Sequence, residues 1–565
     1  MEYEKNFHLL NQKKIFEVFL RFVLSTLIWL LNIIDIKLYS QPIQPHVVLV
    51  IIDGARYTET LGDPLYRYIP EMKQLAAQGA VVDTFLNDYL TYTKRAIPAI
   101  WCGSWATPKD TTINGYLTQY TSAPTVWEYY RKYHNQDSIS AMYILKQLTG
   151  PWLPSYHKEY GPAYWPWYIM QDWSDLYVWQ NAKTKLQKYH PILTLLYLAD
   201  VDQAGHSGNW QQYTRAITIS DSIVGMMWDF LQSDTVYKNK TTLIVTNDHG
   251  RHLDGISDGF VGHGDGCFGC RRIELLAVGS GVNQGHINLH RHITDITPTI
   301  GALLNFPTYY STGNIMSEIL QPIMSKGPDS IDFKNVFLSE NKRDSFSIFN
   351  SGGVALPISI QSNEPFFTNV SRSIIPPHSK QIFYVAFTPD EEKFFCDFIF
   401  ITNDSTDQKD SIKVRGSGIK RITISVDFRK GWNMLSLPTA VDDSRIASLY
   451  PNAVSQAFFY HDKYIPSDTI AGKQGYWIKF DTAFIGSISG MKILSDTFDV
   501  NEGWNLIGSI STSVICDSVE TIPTANIFSP FFTFDGSYFP VDTIHAGKAY
   551  WIKMKSAGKL ILRKR

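Results

Sequence analysis

The sequence predicts an α/β doubly wound sheet followed by C-terminal all-β modules, and three observations carry that expectation. Apolar, β-branched runs in the first half end on acids: HVVLVIIDG at Asp53, LTLLYLADVDQAGH at Asp202 and TTLIVTNDHG at Asp248. From about His46 to Ile323 such runs alternate with longer amphipathic stretches. Beyond Lys326-Gly327-Pro328 the texture changes to short alternating runs separated by turn residues. Continuous apolar runs read as parallel strands covered on both faces, and short alternating runs as antiparallel strands with one wet face.

A chain of 565 residues exceeds what one hydrophobic core serves, and about three or four domains are expected. Lysine and arginine (51) nearly balance aspartate and glutamate (53), for a formal net charge of -2. No global field therefore favours nucleic acid or an anionic membrane, and no nucleic-acid-binding patch is evident. Residues 1–40 open with a polar section containing Lys13 and Lys14, then run apolar from Phe22 to Ile34 except at Ser25, Thr26 and Asn32. That run is shorter than the roughly 20 residues of a spanning helix. It reads as a secretory signal peptide with a cut near Ser40, so a secreted, periplasmic or cell-surface location is expected. An uncleaved signal-anchor is the alternative, because Leu38 spoils the small-x-small pattern.

Residues 41–325 are the expected catalytic domain. In open α/β sheets ligands bind beyond the carboxyl ends of the strands, so Asp53, Asp202 and Asp248 should converge. The same strand ends carry His206 and His249, and His263 in VGHGDG precedes the run IELLAVGSG. Taken singly, a strand-end aspartate is more often a helix N-cap and a lone histidine a packing residue. Together they point to metal, with zinc favoured and manganese the competitor. Six ligands are too many for one tetrahedral zinc but suffice for two ions, which in hydrolytic pairs lie about 3.5 to 4 Å apart.

About residues 150–180 the domain is aromatic-rich, with Trp152, Tyr156, Tyr160, Tyr164, Trp165, Trp167, Tyr168, Trp173, Tyr177 and Trp179. These side chains either line a substrate pocket or fill the core of an inserted cap.

Between the first two acids lies LTYTKRAIPAIWCGSW, in which Thr93 precedes Gly103 by ten residues. That spacing, with IIDG at Asp53, DVDQAGH from Asp200 to His206, TNDHG at Asp248, GHGD at His263 and TDITPTIGALLNFP from Thr294 to Pro307, resembles the alkaline phosphatase superfamily. Within it, the motifs are most similar to the type I phosphodiesterase and nucleotide pyrophosphatase branch. The resemblance implies an alkaline-phosphatase-like sheet in which Asp53, Asp248 and His249 hold one divalent ion and Asp202, His206 and His263 the other. It places Thr93 between them as nucleophile and ligand; Thr91 competes for the role, and the spacing to Gly103 favours Thr93. A dication favours the alkoxide of an otherwise poor threonine nucleophile, and a phospho-threonine would then be cleaved by water.

This sequence departs from the diesterase motif at Ala96, where the family has asparagine, so another group must donate to the phosphoryl oxygen. Lys94 and Arg95 adjoin Thr93 instead, and Arg95 is preferred as the phosphate contact. The sulfatase branch is disfavoured because position 93 is neither cysteine nor serine. The expected function is an exported dinuclear-metal phosphohydrolase acting on phosphate monoesters or diesters. The alternatives are a phosphotransferase or mutase of the same superfamily, or a catalytically silent surface protein that binds envelope or glycan.

Residues 326–420 read as a β-sandwich and resemble immunoglobulin-like modules of the ASH and choice-of-anchor D type, in the N-x-G turn at Asn350 to Gly353, Ile375 to Pro377, and Phe387 to Pro389. Residues 421–565 contain an internal repeat, about 421–495 and 496–565: GWNMLSL at Gly431 recurs as GWNLIGS at Gly503, and YIPSDTIAGKQGYWIKF at Tyr464 as YFPVDTIHAGKAYWIKM at Tyr538. Their Trp, Tyr and Gly landmarks read as core and turn residues, with glycan or cell-wall contact through Trp432 or Trp504 as the alternative. Of five cysteines only Cys267 and Cys270 are paired by spacing. A local disulfide or two free thiols bracing the His263 loop is expected, since one CxxC cannot by itself complete a zinc ribbon.

Overall fold

A computed structural model describes residues 44–113, 116–146, 152–171 and 174–564. The expected signal segment, residues 1–40, lies outside the described residues. Among those that are described, no helix is long and apolar enough to cross a membrane.

The N-terminal half is built on a nine-stranded sheet. In chain order its strands are β1 (His46–Ile52), β2 (Ala80–Leu86), β3 (Ala141–Lys146), β4 (Trp167–Gln171), β5 (Leu193–Leu198), β6 (Thr241–Thr246), β7 (Arg272–Ile273), β8 (Leu275–Gly279) and β9 (Gly285–His292). They lie in the order β7-β2-β8-β6-β1-β5-β3-β4, with β9 paired to β2 off this path. Strands β6, β1, β5, β3 and β4 are parallel to one another, and β8 runs antiparallel to β6. Alternate residues of β1 feed two cores. Val47, Leu49 and Ile51 pack with the helices Thr93–Cys102, Val126–His134 and Ile296–Leu304, whereas Val48, Val50 and Ile52 pack with Pro70–Ala76, Asp175–Tyr189 and Trp210–Ser233. Each fully buried Val, Leu or Ile contributes roughly 1.5–3 kcal/mol of burial free energy, which is why the continuous apolar runs occupy the centre of the sheet.

The aromatic-rich segment is less of an interruption than its composition suggests. Trp167–Gln171 is the edge strand of the main sheet, paired parallel with Ala141–Lys146. Trp179 is buried in the helix Asp175–Tyr189, whereas Tyr156 and Tyr177 are exposed; Trp173 lies outside the described residues. The segment is anchored by the helix Val126–His134. Glu128 closes a capping box with Thr125, and its carboxylate also accepts hydrogen bonds from Ser155 Oγ at 2.6 Å and from the Gly161 amide at 2.8 Å.

The C-terminal region is all-β. Sheets of four and five strands between Met324 and Ile419 enclose a core that includes Phe333, Phe346, Ile358, Phe387 and Val414. Asn350 ties the N-x-G turn to the Ile375–Pro377 run: its Nδ2 donates to the carbonyls of Val354, Ile375 and Pro376, and its Oδ1 accepts from the Gly352 amide. His378 reaches the Ala302 carbonyl, so this sandwich touches the last helix of the α/β domain.

The two repeat copies build four-stranded sheets of matching order. One runs Gly431–Ser436, Gly475–Phe480, Ala457–His461, Lys463–Ser467; the other runs Gly503–Ile507, Tyr550–Met554, Phe531–Phe534, Tyr538–Val541. Equivalent residues of the copies, Met434 with Leu506 and Trp477 with Trp551, meet in one shared buried cluster. The core expectation therefore holds for Trp477 and Trp551 but not for Trp432 and Trp504, which are 41% and 44% exposed.

Candidate metal centre

Asp53 and Asp248 follow β1 and β6, which are adjacent and parallel, so both carboxylates emerge at the same sheet edge. Each is fully buried, and neither caps a helix. The Gly54 amide donates to Asp248 Oδ1 at 3.3 Å, and Tyr197 on β5 donates its hydroxyl to Asp53 Oδ2. Gly54 takes a positive φ of 67° and lies so close to Asp202 that a Cβ would stand 2.6 Å from its Oδ1. Glycine is required there by both backbone and space.

Asp202 and His206 lie four apart on the short helix Asp200–His206, one turn and one face. Their Oδ2 and Nε2 atoms are 3.4 Å apart. The other acid of this DVD run does different work: Asp200 pairs with Lys146 and accepts the Asp175 amide at 2.8 Å.

His263 arrives from the loop before β7. Its Nε2 lies 3.1 Å from His206 Nε2 and 3.5 Å from Asp202 Oδ1, and its ring stacks on His249 with centroids 3.8 Å apart. The predicted residues therefore converge. Asp202, His206 and His263 form one close-packed ligand group; Asp53, Asp202 and His249 form a second, which places Asp202 between the two. Asp248 joins the second through Oδ2, 3.4 Å from His249 Nε2.

The donor set fits divalent ions. His249 Nδ1 lies 3.0 Å from the Gly250 carbonyl and His263 Nδ1 lies 2.8 Å from the Thr91 carbonyl. Carbonyls accept only, so each Nδ1 carries the proton and each Nε2 turns a lone pair inward. His249 Nε2 then faces Asp53 Oδ1 at 3.3 Å, and Asp248 Oδ2 is buried without a hydrogen-bond partner. Lone pairs and carboxylates so crowded suit a cation between them, and a proton shared by the carboxylates is the other way to relieve the repulsion. The titration tendencies agree. Burial and the neighbouring Asp248 and Asp202 charges raise Asp53 well above the carboxylate range, burial lifts Asp248 to about 7, and burial together with His263 pushes His249 down. Burial opposes the Asp202 charge, yet the hydrogen bond to His206 and the Arg251 guanidinium hold its carboxyl well below the usual range.

Thr93 opens the helix Thr93–Cys102. Its Oγ1 lies 3.0 Å from His249 Nε2 and 3.4 Å from Asp53 Oδ1. Thr91 instead supplies the carbonyl that orients His263, and its side chain is buried. The two threonines thus separate into different positions. Ala96 faces the hydrophobic core beside Ile97 and Ile100, so the site's missing donor is not a matter of that side chain. Lys94 is exposed, and Arg95 Nη2 reaches Thr107 Oγ1 at 3.4 Å. Among the described residues neither forms a hydrogen bond or ion pair to a ligand side chain; the preference for Arg95 at phosphate finds no contact that favours it.

Arg251 was not among the sequence-predicted residues. Fully buried, its guanidinium donates to Asp202 Oδ1, to the Asp202 carbonyl at 2.7 Å, to Gly54 at 3.1 Å and to Val261 at 2.7 Å. It thereby joins three segments that carry ligands. Its place beside TNDHG was the available signal, but adjacency to a metal motif does not specify direction. Tyr197, inside an apolar strand run, gave no signal.

The parallel strands of this sheet bring buried carboxylates and inward-facing imidazoles to one edge of an α/β domain, where they form a candidate metal centre. Residues 165–307 match the Metalloenzyme superfamily model, and residues 322–417 match the HYDIN/CFA65/VesB-like Ig-like domain model. No curated protein matches the chain. Among solved structures, it is similar to murine ectonucleotide pyrophosphatase/phosphodiesterase 5, with 15% identity over 49% of this chain and 100% of that chain and a TM-score of 0.39. It is similar to the alkaline phosphatase PafA, with 13% identity over 50% and 100% of the two chains and a TM-score of 0.38. A protein of the alkaline phosphatase superfamily from Vibrio parahaemolyticus is 10% identical over 66% and 83%, with a TM-score of 0.34.

Proposed function

We propose that the α/β domain is a dinuclear-metal phosphohydrolase acting on phosphate monoesters or diesters through a phospho-Thr93 intermediate. The observation that carries this reading is the position of Thr93 Oγ1, a hydroxyl 3.0 Å from an imidazole nitrogen and 3.4 Å from a carboxylate oxygen of the ligand set. Asp53, Asp248 and His249 would hold one ion and Asp202, His206 and His263 the other, with zinc favoured over manganese by the imidazole share. Bound there, the ions supply the positive charge that favours the Thr93 alkoxide and stabilises the leaving oxygen. Thr93 Oγ forms the new bond to phosphorus as the ester P–O bond breaks, and the departing alkoxide takes up a proton. Water then cleaves the phospho-threonine, releasing phosphate or a phosphomonoester and restoring the hydroxyl. Thr93 also begins a helix, whose first amides and positive dipole end suit the non-transferred oxygens.

Nitrophenyl mono- and diesters test the reading. Chelation is expected to abolish turnover, and return of about two zinc or manganese ions per chain to restore it. Turnover that survives chelation would refute it. The ratio of the two ester rates assigns the substrate class. We place the enzyme outside the cytoplasm, on the strength of the N-terminal charged and apolar pattern.

The repeats favour a second, separate reading. Two neighbouring aromatic cavities, about 370 and 490 Å³, are lined by Trp504, Phe532 and Trp551 and by Trp432, Phe458 and Trp477, and both include Tyr538. The exposed rings among them, Trp432, Trp504 and Tyr538, suit the apolar faces of sugars, and we propose glycan contact through these three. Retention of the full chain on insoluble polysaccharide should fall on Trp432→Ala/Trp504→Ala; equal retention would exclude it.

A further inference from the structure

Cys267 and Cys270 do not stand alone. The chain folds His252 and Asp265 against them, so that one ligand atom from each of the four residues lies within 4.8 Å of all the others. This cluster is distinct from the catalytic candidates and shares no ligand with them. We propose that His252, Asp265, Cys267 and Cys270 form a structural zinc site that staples the loop carrying Arg251 and His263.

Three features favour metal over coincidence. His252 is 6% exposed and its Nε2 is buried without a hydrogen-bond partner. Its Nδ1 lies 2.6 Å from Asp258 Oδ1. Donation of the Nδ1 proton to that carboxylate leaves the Nε2 lone pair facing Asp265 Oδ1 at 3.3 Å, a repulsive pairing without a cation. The carboxylate–histidine arrangement is also the usual way in which a ligating imidazole is oriented and made more basic. Both thiols are free, and Cys270 is buried where Cys267 is only partly so.

Two sulfurs with one imidazole and one carboxylate select zinc over magnesium or calcium. A tetrahedron with Zn–S near 2.3 Å and Zn–N near 2.0 Å has edges of roughly 3.3 to 3.8 Å. The four groups therefore need only a small inward movement. Binding releases the two thiol protons as both sulfurs become thiolates.

The position gives the ion a purpose. The Gly250 amide donates to the Cys270 carbonyl at 2.8 Å, and the His252 amide to Gly262 at 3.1 Å. Arg251 lies between these two ties and His263 directly follows Gly262. A zinc here would fix both the arginine that holds Asp202 and the histidine ligand, without touching substrate.

The test uses the full chain purified without reductant, loaded with Zn²⁺ or Co²⁺. About three ions per chain are expected if both centres fill, with Cys267→Ser/Cys270→Ser losing one ion and the thiolate-to-cobalt charge-transfer absorption. Asp248→Asn/His249→Ala should keep that absorption, which separates this site from the proposed catalytic pair. If the serine variant fails to fold, iodoacetamide labelling of the parent decides: zinc should slow modification of Cys267 and Cys270 by at least about tenfold. Absence of the cobalt–thiolate band, zinc-independent labelling, or recovery of the two cysteines as a disulfide from zinc-supplemented protein would overturn the proposal.

Discussion

Replacing Thr93 by alanine is expected to lower kcat/KM for a nitrophenyl phosphate ester by about 10³-fold or more, while metal content stays at that of the parent. The hydroxyl can form a covalent bond to phosphorus without giving up a candidate metal ligand, and it lies among those ligands, 3.0 Å from His249 Nε2 and 3.4 Å from Asp53 Oδ1. Its loss removes the proposed nucleophile but leaves three carboxylates and three imidazoles in place. Thr93→Ser should retain most of the rate, because the oxygen survives and only a methyl group is lost. Thr91→Ala is the informative contrast. Thr91 holds His263 through its backbone carbonyl, which alanine also supplies, so this change should cost little. Acid quenching of the parent during turnover should trap phosphate on the peptide containing Thr93. A Thr93→Ala enzyme within tenfold of the parent, with no labelled peptide in the parent, would sink the covalent mechanism.

Arg251→Met is expected to destabilise the metal-free α/β domain by about 3–5 kcal/mol, a fall in melting temperature on the order of 10 °C. The guanidinium is fully buried and donates to Gly54, Asp202 and Val261. Methionine fills much of the volume but leaves those carbonyls unpaired and the buried Asp202 carboxylate short of its counter-charge. The loss should be smaller in zinc-loaded protein, where the ion compensates Asp202. Arg251→Lys should fall between, since one ammonium cannot reach every acceptor of a planar fork. Space adds to the constraint: a Cβ at Gly205 would lie 2.3 Å from the Arg251 guanidinium carbon, so Gly205→Ala should produce the same phenotype. Thermal melts of metal-free and zinc-loaded protein decide this. Equal losses in both states would separate Arg251 from the metal centre.

The convergence of the candidate ligands was legible because its signals are local. HVVLVIID and TTLIVTND are adjacent parallel strands, and parallel strands deliver their C-terminal residues to one edge. The four-residue step from Asp202 to His206 is one helical turn, so those two meet whatever else the chain does. Less of the surrounding detail could be read this way. In DVD, Asp200 turns to Lys146 and Asp202 to the ligands, a choice set by helix phase against neighbouring segments. Trp167–Gln171 lies in an aromatic-rich stretch yet completes the edge of the sheet. Trp432 and Trp477 both read as landmarks of one repeat, but only Trp477 packs in the cluster shared by the two copies.

By itself the sequence determined which strands are buried, where their acids and histidines emerge, and that a β region with a doubled unit follows, because hydrophobic period and strand-end chemistry are written over a few neighbouring residues. Only the tertiary structure decided that Arg251 clamps Asp202, that Tyr197 holds Asp53, and that His252 and Asp265 join a CxxC pair lacking partners of its own. Those contacts depend on the packing of segments distant along the chain or on the path of an irregular loop, and no local period encodes either.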